Sequence, residues 1–157
     1  MYVESYSKGK SAQYIDHSEL NRYLSDILQS GTAIICAENE VLKACLLYAP
    51  LSFDKFLPES IVSHFKIEKC VYIAEVMVAE TFRGQGLGNA IIKDFFEIVD
   101  SQNYTDVFIR VWDGNLPALN LYEKMGFTKC ATIEQHKKTP DGKTDFVMRK
   151  MYLHKPL

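Results

Sequence analysis

Between Cys70 and Trp112 the chain can be laid out in one way only. "CVYIAEVMVA" is a nearly unbroken apolar run rich in β-formers, and "DVFIRVW" is a second such run. Between them stands "RGQGLG", with three glycines in five positions. Leu87, Ile91, Ile92, Phe95 and Val99 follow at helical spacing. Two strands joined by a glycine turn and a helix of about three turns cannot make a hairpin. They make a right-handed crossover, which leaves the strands parallel. The first run lacks polar alternation, the pattern of a strand buried on both faces.

The flanking segments read as antiparallel structure. "DHSELNRYLSDILQSG" opens on a capping residue, carries Leu20, Leu24 and Leu28, and stops at Gly31, which predicts a helix. "TAIICAENEVLKACLLYAP" predicts two strands around a polar turn at Glu38 to Glu40. Residues 51–68 have no clear period, although "PESIVSHF" predicts a short helix opening at Pro58. "NLPALNLYEKMG" predicts a helix capped by Asn115 and ended by Gly126. The remainder closes as a hairpin around Pro140, Asp141 and Gly142. The expected fold is α/β (α+β): a mixed, mostly antiparallel central sheet with one parallel strand pair, flanked by helices. With 157 residues and 47 % apolar content, a single domain over 1–157 can bury a core of its own. Residues 1–16 receive no assignment, since "MYVESYS" makes a poor strand.

Composition removes several classes of function. The net charge of −2 offers no general attraction for nucleic acid or an anionic membrane. No apolar run approaches the length of a membrane span. The opening "MYVESYSKGK" lacks the apolar segment of a secretory signal, so a cytoplasmic location is expected. Cys36, Cys45, Cys70 and Cys130 form no CxxC pair and are expected to be buried, reduced thiols. His17, His64, His136 and His154 are far apart, so no metal site is expected.

The glycine loop joins a strand end to a helix start, where backbone N–H groups lack partners and the helix dipole is positive. Without side chains at Gly84, Gly86 and Gly88, those groups can wrap a phosphate or pyrophosphate. The dinucleotide pattern fails because Asn89 stands where its third glycine belongs, and no Gly-Lys-Ser/Thr of a P-loop follows. A glycine-rich turn that merely feeds the helix is the plain alternative.

"RGQGLG" fits R/Q-x-x-G-x-G/A, and "NLPALNLYEKMGF" follows thirty residues later. Together they resemble the two signature segments of the GNAT superfamily of acetyl-CoA-dependent N-acetyltransferases, closely over residues 70–128. The resemblance implies acetyl-CoA as cosubstrate, with its pyrophosphate on Arg83, Gly84, Gln85, Gly86, Leu87, Gly88 and Asn89. It implies a bulged first strand splayed from its parallel partner, with the pantetheine arm pairing along Val76, Met77 and Val78. Asn115 resembles the family's coenzyme-contacting asparagine and is equally placed as a plain helix cap.

Tyr122 matches the tyrosine that protonates the departing thiolate, a role suited to a phenol of pKa about 10. For the base, Glu75 is the only charge within residues 70–79, where a carboxylate is costly unless it is paired or functional. Water relay is its rival, and Asp113 and Glu134 are weaker candidates. The next strand carries Arg110 where some relatives carry their base. The implied reaction is direct acetyl transfer to a primary amine of a small molecule or peptide. A non-catalytic acyl-CoA sensor and a nucleotide-binding protein are the alternatives. A homodimer through the exposed edge of the final hairpin stays open.

Overall fold

A computed structural model describes residues 1–157. Its centre is one six-stranded sheet of order β1-β2-β3-β4-β6-β5. The strands are β1 (Thr32–Glu38), β2 (Val41–Pro50), β3 (Cys70–Val78), β4 (Asp106–Trp112), β5 (Thr128–Lys138) and β6 (Asp145–Pro156). All neighbours are antiparallel except β3 and β4, which run parallel from Cys70↔Asp106 to Ile73↔Ile109. The helices are α1 (Tyr2–Tyr6), α2 (His17–Ser30), α3 (Glu59–Val62), α4 (Leu87–Ile98) and α5 (Leu116–Lys124). Residues 1–16 therefore contribute a short helix and a loop.

The sheet is covered on both faces. On one, Ile91, Ile92 and Phe95 of α4 and Tyr122 of α5 pack on Leu46, Val71, Ile73, Val107 and Ile109. On the other, Ile61 of α3 and Leu51 pack on Tyr72, Phe108 and Tyr152. Ile27 of α2 packs on Leu47 and Met77 of the same face. Coverage from both sides explains why β3 carries so few polar residues.

Two expectations change. In α2 the Asp16 carboxylate accepts from the N–H groups of Ser18 and Glu19, as a capping residue does. Its buried stripe runs through Leu20 and Ile27, however, and Leu28 is 56 % exposed. At 3.6 residues per turn, a residue seven positions on returns to within about 20° of the start, and one eight positions on swings about 80° away. Cys130 is exposed rather than buried. It sits at the register shift between Lys129 and Ala131, on the edge strand β5.

Candidate active site

The site begins with one extra residue. In the β2–β3 pairing Tyr48 faces Ile73 and Leu47 faces Glu75, so Ala74 has no partner and forms a bulge. Past it, β3 no longer pairs with β4: the parallel register ends at Ile73↔Ile109. The edge of Val76, Met77 and Val78 that faces β4 is therefore left without a strand, while β2 still holds the other edge. A bulge also reverses side-chain alternation. Unbroken alternation from Ile73 would aim Glu75 at the α4–α5 core. Instead Glu75 turns to the α1–α2 face, and Val76 and Val78 pack toward α4.

The glycine loop lies at the end of the same strand. Gly84 and Gly86 have φ of +75° and +81°, the left-handed region that side chains disfavour, and Gly86 caps α4. No backbone acceptor takes the N–H groups of residues 84–89, and the first internal bond of α4 runs from Ala90 to the Gly86 carbonyl. Side chains at Gly84 and Gly86 would project into open space, whereas one at Gly88 would come within 3.3 Å of Leu121. Gly88 thus serves close helix packing, and the other two leave the loop's surface open. Arg83 donates from Nε to the Val78 carbonyl at 3.2 Å, tying the loop to the end of β3.

Tyr122 hangs from α5 into the α4 side of the sheet, 6 % exposed, with its ring edge-on to Phe127 at 6.0 Å. Its hydroxyl bonds to no protein group, yet no buried polar side-chain atom lacks a partner. The hydroxyl therefore reaches a solvent-accessible gap. Burial, and secondarily the charge of Glu75, hold the phenol well above its ordinary pKa, so it keeps its proton. Asn115 caps α5, its side-chain oxygen accepting from the Ala118 N–H at 3.4 Å.

Glu75 is buried on the opposite face, where both carboxylate oxygens accept from tyrosines: Tyr6 Oη at 2.5 Å and Tyr23 Oη at 2.9 Å. Burial raises its pKa above the ordinary carboxylate value, and the two hydroxyls only partly offset this. Glu75 and Tyr122 thus sit on opposite faces of the sheet, near enough for the charge of Glu75 to act on the Tyr122 phenol, with Glu75 just past the point where β3 and β4 part. The helix α1, for which the sequence held no period, is what brings Tyr6 to Glu75.

Glu75 lines a cavity of about 460 Å³ roofed by α1, α2 and the turn at Leu51–Phe53. Its floor includes Arg110, whose Nη1 contacts both Asp54 oxygens at 2.8 and 3.0 Å. Tyr152 Oη and the Phe56 N–H also donate to Asp54. Arg110 is therefore a neutralised structural cation rather than a replacement for a base. The weaker base candidates fall away from the cavity: Asp113 pairs with Arg149, and Glu134 is exposed on the edge strand. Sequence reading missed Asp54, Tyr6, Tyr23, Lys137 and Lys150. Lysines and tyrosines alternating in the closing hairpin and first helix carry no spacing that marks a site. No group of His, Cys, Asp and Glu side chains could hold a metal ion, and no helix is long and apolar enough to cross a membrane.

This geometry defines an α/β class: a sheet that splits after one parallel pair, with a glycine loop of unpaired N–H groups where the crossover helix starts and a cavity across the opening. The chain belongs to the acetyltransferase (GNAT) family, whose pattern matches residues 2–127. It is 27 % identical over 78 residues to an N-alpha-acetyltransferase of Sulfurisphaera tokodaii, covering 49 % of this chain and 46 % of that one. It is 36 % identical over 56 residues to a thialysine N-epsilon-acetyltransferase of Mus musculus, covering 36 % and 33 %. The chain thus spans less than half the length of these relatives. Among solved structures, a ribosomal-protein-alanine N-acetyltransferase from Brucella melitensis superposes with a TM-score of 0.65 at 18 % identity, covering 91 % of this chain and 80 % of that one. A GNAT family acetyltransferase from Elizabethkingia anophelis with acetyl-CoA bound gives 0.63 at 18 %, covering 90 % and 84 %. At such identities these two likenesses speak to the fold.

Proposed function

We propose that this protein transfers the acetyl group of acetyl-CoA directly to a primary amine. The observation that carries the reading is the pairing across the β3–β4 opening: a proton acceptor, Glu75, on the cavity side and a proton-bearing phenol, Tyr122, on the loop side. In this reading the coenzyme supplies an activated thioester. The free N–H groups of residues 84–89 hold its pyrophosphate, with Arg83 and Asn115 at the edges. Val76, Met77 and Val78 offer it the unpaired edge of β3, as they would a further strand, and an N–H there polarises the thioester carbonyl. Glu75 takes the amine's proton, directly or through the Tyr6 or Tyr23 hydroxyl. Tyr122 returns a proton to the leaving sulfur.

Acetyl-CoA consumption across amine classes tests the activity. Gly86→Val tests the cradle. Its Cβ meets no protein atom, so folding bears only the backbone strain, about 1–3 kcal/mol. The branched side chain would stand where the phosphate must approach. The expected result is a Kd for acetyl-CoA raised about tenfold or more, the scale of one charge-assisted hydrogen bond. Unchanged affinity would mean that the anion binds elsewhere.

Glu75 as base makes a further prediction. The base works when ionised, so kcat/KM should rise with pH through the raised pKa of Glu75. Deprotonation of the amine gives a rising limb as well, so parent and variant must be compared with one acceptor. Glu75→Gln should remove the acidic limb and leave acetyl-CoA affinity unchanged. Two profiles that rise at the same pH and differ by a small constant factor would assign the proton to relayed water instead.

A further inference from the structure

We infer that the amine acceptor carries its own carboxylate, and that Lys137, Lys150 and Gln135 on the cavity floor hold it. The inference rests on the acetyl-transfer reading for the role of the amine, but the anion site stands on separate observations. Lys137 and Gln135 of β5 and Lys150 of β6 share the sheet face of Glu75, Arg110 and Tyr152, and all three line the cavity. Neither lysine has an acidic partner within ion-pair distance, although both are partly buried.

The Arg110 guanidinium is committed to Asp54 and is not free to bind a guest, although its charge still acts on both lysines. Glu75 is already held by two hydroxyls. Glu19, Asp16 and Asp26 belong to α2 and the residue that caps it, at the cavity rim beside Arg22, and the Asp16 carboxylate is occupied in capping the helix. Arg22 and Lys55 balance Glu19 and Asp26 elsewhere in the lining, so the floor holds two lysines without an ion-pair partner beside the single carboxylate of Glu75, and a base that collects a proton leaves them in greater excess. Burial, then the charges of Lys137 and Arg110, push Lys150 down to about 8. Burial and Arg110 likewise lower Lys137, against a smaller opposing pull from Glu75 and Glu19. An anion seated between the two lysines would reverse both effects.

Gln135 is the second, independent observation. It is 7 % exposed and lines the cavity, and its side-chain amide makes no hydrogen bond within the protein. No buried polar side-chain atom lacks a partner, so this amide opens into the cavity, where its hydrogen bonds are left to a guest or to water. Its NH₂ group, beside two ammonium groups, suits a carboxylate acceptor.

Spacing limits the acceptor's size. In the order β3-β4-β6-β5, Lys150 lies two strands from Glu75, at least about 10 Å by ordinary strand spacing, because β3 and β4 have parted at Glu75. The long lysine side chains shorten the gap between amine and carboxylate to a few bonds. That is the span of an amino acid. The amine at a peptide's N-terminus has no such carboxylate beside it.

The test offers free L-amino acids and their carboxamides pairwise as acceptors, with the amides of short peptides as a third arm. The expected result is that kcat/KM for an amino acid exceeds that for its carboxamide about tenfold or more, the scale of one charge-assisted hydrogen bond. A Lys137→Met/Lys150→Met double variant should bring that ratio to about one, mainly through KM, with the acetyl-CoA thermal shift retained as proof of folding. Carboxamides equal to acids, a preference for peptide amides, or a ratio that survives the double variant would overturn the proposal. Calorimetric titration of the same pairs separates the two readings. Carboxylate-dependent binding without turnover keeps the anion site and removes acetyl transfer. Turnover without acid preference does the reverse, and a lack of both removes both.

Discussion

Tyr122→Phe should lower kcat by about 10²–10⁴ while leaving the Kd for acetyl-CoA nearly unchanged. The substitution keeps the ring, and with it the edge-on contact to Phe127 and the packing on the α4 side of the sheet. Only the hydroxyl is lost, and that hydroxyl has no partner inside the protein, so removing it orphans nothing. Stability should therefore hold, and the loss should appear in the chemical step. Burial keeps the phenol protonated, which a donor requires, and the developing thiolate is the base that draws the proton away. Steady-state kinetics at saturating acceptor, with calorimetric binding of acetyl-CoA, reads both quantities. An unaltered kcat would mean that solvent protonates the sulfur and that Tyr122 only packs.

The second large effect falls on folding. Asp54→Ala should cost about 3 kcal/mol, at the lower end of what breaking a buried ion pair costs, because Arg110 keeps partial access to the cavity. Asp54 is 6 % exposed and accepts from Arg110, Tyr152 and the Phe56 N–H, so its removal strands three donors at once. Arg110 stays over the Phe56 ring at 4.9 Å but loses its counter-charge. An Asp54→Ala/Arg110→Met double variant should recover most of the loss, since an uncompensated charge costs more than an absent pair. Urea unfolding of the three proteins measures this. A loss below about 1 kcal/mol in the single variant would class the pair with solvent-screened surface ion pairs.

The two effects bear on the cavity in different ways. Tyr122 works from the far side of the opening and does not line it. Asp54 ties up the Arg110 guanidinium, which leaves Lys137 and Lys150 as the partly buried cations of the cavity without an acidic partner. Asp54→Ala should thus disturb acceptor recognition as well as stability, whereas Tyr122→Phe should leave it alone.

Local information was enough for most of the framework. The helix at 17–30, both hairpins and the strand–glycine loop–helix–strand crossover lie in the sequence because each follows from spacing, caps and turn residues within a few positions. The left-handed φ of Gly84 and Gly86 belongs with them, since the need for glycine there is a backbone property of the loop itself. The family resemblance rested on the same contiguous stretches.

What the tertiary structure decided has a different range. A single unpaired residue, Ala74, turns Glu75 from the α4 face to the cavity face, and no local pattern announces a bulge. Asp54 finds Arg110 across 56 positions and Tyr152 across 98, and Tyr6 finds Glu75 across 69. Lys137 and Lys150 become neighbours of Glu75 only because the strand order sets β6 and β5 beyond β4. The sequence determines which backbone forms and where its N–H groups are left open, because those depend on neighbours along the chain. Which charges meet in the cavity depends on strand order and register, because burial couples residues that are distant in sequence and leaves no periodic trace of the pairing.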